Sequence, residues 1–213
     1  MVALAWVAGC VDAVSYLRLG SVFTANMTGN TVLLGIAVAQ GHGAAAVRSA
    51  VAIAGFCSGA LIGSLLDGAA VALLPEGLVL VGLAVGAQFG LVGQPLIAAS
   101  GCAMGLQAAT VRRRDGTGVN VTYITGTLTT LMSRVTDRLR GRRPDHDGHE
   151  ARVAFPALVW AGYAVGGLCG ALAAGAWHAR AFVLPAAAAL LTGLADVLSR
   201  STGGERVTTA VDR

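Results

Sequence analysis

The sequence predicts an all-α fold, a polytopic transmembrane helical bundle built from two homologous halves with about six to eight helical segments. Three observations lead there. The 213 residues are 55% hydrophobic and only 12% charged, with a mean hydropathy of +0.69. A soluble domain carries about 25% charged residues, so this chain lacks the polar surface to face water all round. The apolar residues also run together where a soluble helix would show a single stripe. Finally, a polar, glycine-broken element occurs twice. Gly9-Cys10-Val11-Asp12 precedes Asn26-Met27-Thr28-Gly29-Asn30-Thr31, and Gly101-Cys102-Ala103-Met104 precedes Val121-Thr122-Tyr123-Ile124-Thr125-Gly126-Thr127. Glycine-interrupted segments at corresponding positions of two halves point to a transporter's binding site.

The first half covers residues 1–94. An apolar helix over 3–18 is interrupted by Asp12 and Ser15, and residues 19–25 form a bend. With no basic n-region before it and an acid inside it, that helix reads as retained, not as a cleaved signal. A short helix over 26–40 opens with the Thr-Gly-Asn motif and stops at Gly41-His42-Gly43. A long segment follows over 46–73, then a turn at Pro75-Glu76-Gly77, then a fourth segment over 78–93 closed by Gln94-Pro95.

The second half covers residues 95–199. Its segments run over 96–111, ending at Arg112-Arg113-Arg114, and over 119–135, rich in Thr. A polar loop of mixed charge spans 136–152, before segments over 153–177 and 181–199. Residues 200–213 form a polar tail, expected to be disordered. The glycine row Gly55-Phe56-x-x-Gly59-x-x-x-Gly63 matches Gly162-Tyr163-x-x-Gly166-x-x-x-Gly170. Each row lies on one helix face, as in small-xxx-small packing, so these two helices are expected to pack closely, with each other as one option.

Four segments offer only roughly 15 to 17 residues, against about 20 for a full span. Two arrangements fit: eight helical segments with the short ones interior, which we favour, or half-helices that dip in and return. The charges bear on this. Every one of the 15 basic residues is Arg, and clusters flank the sixth segment at both ends. A full crossing puts one cluster outside, whereas a dipping hairpin keeps both inside. The loop over 136–152 and the tail are both expected in the cytoplasm, on the Arg excess around them. Nucleic-acid binding is not expected, because the basic residues flank apolar spans and lack an aromatic platform.

Asp12 is the acid expected at membrane depth, where it costs about 2.5–3.5 kcal/mol on insertion scales, so it is the candidate coupling residue for a proton or cation. The candidate substrate-binding residues are Asn26, Thr28, Gly29 and Asn30 in the first element and Thr122, Thr125, Gly126 and Thr127 in the second. Gln107, which aligns with Ser15, joins them. Thr and Asn offer donors and acceptors without charge, and glycine lets backbone face a ligand. The competing role for all of these is interhelical hydrogen bonding, worth about 0.6 kcal/mol per contact. Cys10, Cys57, Cys102 and Cys169 form no Cys-x-x-Cys pair, and the histidines lack ligand spacing, so no metal or cofactor is expected. No catalytic order or nucleotide fingerprint appears, so the chain is not expected to be an enzyme.

The run Gly9-x-x-Asp12-Ala13-x-Ser15-Tyr16-Leu17 with Phe23-Thr24-Ala25-Asn26-Met27-Thr28-Gly29-Asn30 resembles the leading signature of the YoaK-like family. Gly105-Leu106-Gln107-Ala108 with Thr122-Tyr123-Ile124-Thr125-Gly126-Thr127-Leu128-Thr129 resembles its second signature, with Ala108 standing where that signature has Asn. The resemblance implies a multi-pass protein of the bacterial inner (cytoplasmic) membrane, in a family without an established substrate. The expected function is a small-solute transporter or permease with its site between the two Thr-Gly elements. The alternative is a non-transporting sensor, assembly or scaffold protein. Expected partners are the lipid bilayer, a small-molecule solute and a coupling proton or cation, with self-association left open.

Overall fold

The computed structural model describes residues 1–66, 69–89, 93–114, 124–140 and 149–211. Among them every regular element is helical. In order they are α1 (Val2–Arg18), α2 (Met27–Ala39), α3 (Gly43–Leu65), α4 (Ala69–Gln88), α5 (Gln94–Arg114), α6 (Ile124–Leu139), α7 (His149–Trp177) and α8 (Val183–Val211), with a 3-10 turn, His178–Phe182, between the last two. A chain in lipid must satisfy each backbone N–H and C=O internally, which the α-helix does within one segment. Residues 43–65, 154–177 and 180–199 are long and apolar enough to cross a bilayer, while 27–39 and 73–88 are apolar but shorter.

Several boundaries differ from the sequence expectation. Pro75-Glu76-Gly77 is not a turn but lies inside α4, because surrounding helices make a helical path cheaper than exposing backbone in an apolar setting. The polar loop is shorter than 136–152, since α6 continues to Leu139 and α7 begins at His149. α8 extends past 199 to Val211; a helix already nucleated propagates at little cost. The sixth segment begins at Ile124, and residues 119–123 lie outside the described residues.

The glycine rows do pack closely, although not on each other. Gly55, Gly59 and Gly63 of α3 sit against Ala98, Cys102 and Leu106 of α5; Gly162, Gly166 and Gly170 of α7 sit against Val2, Trp6 and Cys10 of α1. A Cβ on Gly59 or Gly166 would strike the Cys102 or Trp6 carbonyl. Residue numbers rise together along both interfaces, so α3 runs parallel to α5 and α1 parallel to α7. The α4–α8 contact is the reverse: Gly77 meets Leu190 while Gly193 meets Leu73 and Leu74, so these helices are antiparallel. The helices α1 and α5 are also antiparallel, because Gln107 reaches Leu4 whereas Ser100 reaches Thr24, itself bonded to Ser15.

The remaining packing pairs are α2 on α3, α6 on α7, α4 on α5 and α1 on α8. Exchanging α1–α4 for α5–α8 leaves this set of pairs unchanged. The buried core joins both groups, with Val7, Val11 and Val14 of α1 beside Leu80 and Leu83 of α4, Ile97 and Met104 of α5, Ala174 of α7 and Ala186 of α8.

Replacing Gly59 or Gly166 with Val should destabilise the protein by about 1–3 kcal/mol each, because a backbone carbonyl cannot swing away as a side chain can. Gly82→Ala should not, since nothing lies within 4 Å of the added Cβ. Thermal melting of the purified variants in one detergent checks the contrast.

Candidate functional site

After α1 ends at Arg18 the chain turns back on itself. Gly20 takes a φ of 91° and Ser21 one of 60°, the left-handed region that Gly enters freely and other residues enter only when held. Tyr16 and Phe23 stack with ring centroids 5.0 Å apart, so the returning strand lies along α1. It reaches Asp12, six residues or about 9 Å back from the end of the helix. There the Asp12 Oδ1 accepts from the backbone N–H of Thr24 (2.8 Å), Ala25 (2.7 Å) and Asn26 (3.3 Å), and the Tyr163 hydroxyl donates to Oδ2 at 2.6 Å. Ser15, Thr24 and Ser100 add a chain of buried hydroxyls at 2.9 and 2.8 Å.

From this depth α2 starts out. Asn26 caps it, its Oδ1 accepting from Gly29 N at 3.1 Å. Asn30 is fully buried and clamps Phe23: its Oδ1 accepts from Phe23 N at 3.0 Å and its Nδ2 donates to Phe23 O. Gly29 is required by closeness, since a Cβ there would lie 2.9 Å from the Phe23 ring. α2 then runs back toward the end of α1, for Arg48 near the start of α3 donates to the Gly20 carbonyl at 3.0 Å. The segment 19–42 therefore leaves and rejoins the bundle at the same end.

A cavity of about 510 Å³ opens at the start of α2. It is lined by Ala8 of α1, by Ala25, Asn26, Thr28, Gly29 and Val32, by Ile124 and Thr125 at the start of α6, and by Tyr163 of α7. Its volume falls within the range of about 300–1,000 Å³ usual for small-molecule sites. The beginnings of the two short helices thus share one hollow. A second hollow of about 550 Å³, bounded by Gln88, Trp177, His178 and Arg180 among others, lies at the helix ends and touches neither element.

Of the residues singled out in the sequence, Asn26, Thr28, Gly29 and Thr125 line the cavity. Asn30 sits behind it, holding the return strand. Gln107 is elsewhere in the core, donating to the Leu4 carbonyl at 2.7 Å. Thr127 is buried and Gly126 exposed, neither among the lining residues; Thr122 lies outside the described residues. Asp12 is one layer behind the lining, reached through Ala25, Asn26 and Tyr163. Tyr163 is the lining residue that pattern reading passed over. It stood in the glycine row opposite Phe56, and the signal was the extra hydroxyl in one of two matching rows. Among the described residues no three His, Cys, Asp or Glu side chains gather as a metal site would need.

Residues 1–195 match the family described as a protein of unknown function, DUF1275. The chain belongs to this family. It is also 36% identical over 144 residues to the UPF0700 transmembrane protein YoaK of Bacillus subtilis (strain 168), across 62% of this chain and 64% of that protein. The chain thus spans somewhat under two thirds of that relative's length. No solved structure matches. Family membership, the transmembrane relative and the apolar helices together make this a membrane protein.

The Asp12 carboxylate organises the return strand, so deleting it should act on stability. Asp12→Ala strands three N–H groups and a hydroxyl, each costing about 1–3 kcal/mol unsatisfied. Asp12→Asn keeps an acceptor and should cost much less. Melting temperatures of both variants check this, and equal losses would contradict it.

Proposed function

We propose that this protein is a small-solute transporter or permease whose binding site is the cavity between the starts of α2 and α6. The observation that carries the reading is that two short helices begin at one shared hollow, presenting Thr28, Gly29 and Thr125 to it. Discontinuous helices that start at membrane depth are how secondary carriers build a site at the interface of their repeats. The lining is uncharged, with hydroxyl and amide groups set among Ala, Val and Ile, which suits orientation of a small polar solute. In this reading the chain is not an enzyme.

The helix directions support an inverted arrangement of two homologous halves in the cytoplasmic membrane. With α1 parallel to α7, α3 parallel to α5, and α4 antiparallel to α8, six long helices alternate in direction, while α2 returns to the side it came from. The ends of α5, α6 and α8 and the start of α7 then lie on one face, and the sequence around those ends carries most of the Arg, against Arg18, Arg48 and Arg180 at the other. By the positive-inside rule the Arg-rich face is cytoplasmic. Single cysteines introduced into a Cys-free background at Gly41 and at Ser201 should label from outside intact cells only at Gly41. Strong external labelling at Ser201 would overturn the topology.

A scaffold role has one observation in its favour: Asp12, Asn30 and Gln107 spend their hydrogen bonds within the protein. The deciding experiment is a solute screen on purified protein by thermal shift, followed by uptake into proteoliposomes. Under the carrier reading a hit should stabilise wild type, and Thr28→Val with Thr125→Val should abolish both stabilisation and uptake while leaving the unliganded melting temperature nearly unchanged. If the double variant instead melts early and no solute moves in wild type, the polar elements are fastenings.

A further inference from the structure

A second acid is buried in the bundle, and nothing in the site described above uses it. Glu76 on α4 is 0% exposed, and neither carboxyl oxygen has a hydrogen-bond partner. Buried polar groups are nearly always paired, and an unpaired one calls for an explanation. A buried, unpaired carboxylate is among the costliest groups a fold can hold. An acid kept within a transmembrane segment marks ion paths and proton relays more often than structure.

Its position sharpens the point. Glu76 sits where α4 crosses α8, between the contacts of Gly77 with Leu190 and of Leu74 with Gly193. That crossing is where the exchange of α1–α4 with α5–α8 carries one helix onto the other. The helix is weak at this place. Pro75 has no N–H, which leaves the Val71 carbonyl without its helical donor, and Gly77 follows directly. Pro-Glu-Gly within a helix lets the backbone bend at the acid itself. The elements packed on α4 are α5, α8 and the 3-10 turn. Their described ionisable side chains are Cys102 and Arg112, Asp196, and His178 and Arg180, and none bonds to the Glu76 carboxyl. Thr192 on α8 turns its hydroxyl to the Ala188 carbonyl at 2.7 Å. By contrast, Asp12 already accepts four hydrogen bonds.

We propose that Glu76 is a proton-binding site, closed off when α4 and α8 are packed and opened to water when they part at Pro75, and that it couples solute movement to a proton gradient. One carboxylate takes one proton to become an uncharged acid, and no other reactant takes part. The coupling half of the proposal rests on the carrier reading; the proton site itself does not.

Two measurements separate these. Infrared difference spectra of purified protein during pH titration should show, at the high frequency of a carboxylic acid free of hydrogen bonds and apart from the hydrated carboxyls, a carbonyl stretch lost in Glu76→Gln and kept in Asp12→Asn. Glu76→Leu, which matches the apolar surroundings, repeats the test should the Gln variant assemble poorly. A spectrum in which that band is absent from wild type, or survives in Glu76→Gln or Glu76→Leu, overturns the proton site. In proteoliposomes, with a solute found by the screen, Glu76→Gln should lose uptake driven by a pH gradient while still exchanging solute across the membrane without one. Gradient-driven uptake retained by Glu76→Gln overturns the coupling. If wild type moves no solute at all, the carrier reading falls, and the infrared band alone decides the proton site.

Discussion

Backbone that is not helical cannot lie inside a bilayer unless the protein supplies its hydrogen-bond partners. The Asp12 carboxylate meets that requirement for residues 24–26. Its oxygens take three consecutive backbone N–H groups where the chain doubles back, and the Tyr163 hydroxyl ties the same carboxylate to α7. The cavity follows from this: because the returning chain is held beside Asp12, the first turn of α2 faces a hollow. An acid in such a place first looks like a group waiting to exchange a proton. It accepts four hydrogen bonds, whereas neither carboxyl oxygen of Glu76 has a partner.

The glycine faces set the frame in which that strand is held. They let α1 approach α7, and α3 approach α5, until backbone touches backbone. In lipid, helix association draws on van der Waals contact and polar links more than on the hydrophobic effect. Close contact along two parallel pairs therefore supplies rigidity around the more polar interior. Arg18 reinforces one pair, its guanidinium donating to the Ala174 carbonyl near the end of α7, where a cation suits a helix C-terminus.

The two halves match in pairing but not in chemistry. Where the first has Asp12, the second has Met104; where the second has Tyr163, the first has Phe56. The interface of α1 with α7 thus holds a carboxylate and a phenol at places that carry a thioether and a phenyl ring in the interface of α5 with α3. The polar pair supports the returning chain before α2.

Much of this was legible in the residues themselves. Low charge and long apolar runs determine a membrane bundle, because a chain with few polar side chains has no other stable solvent. The Thr-Gly elements contain Asn26, Thr28, Gly29 and Thr125 of the cavity lining, and the glycine rows mark close helix contacts, since each needs only local composition and a fixed spacing. Tertiary structure decided the rest. Which helix each glycine row meets and whether Gln107 joins the cavity depend on residues about 40 to 160 positions away, and what Asp12 bonds depends on how the chain doubles back, for all of which spacing holds no information. Pro75-Glu76-Gly77 reads locally as a turn and is nonetheless helix, because in a packed, water-poor interior an unsatisfied backbone costs more than a strained one. The same interior leaves the acid at its centre without a partner.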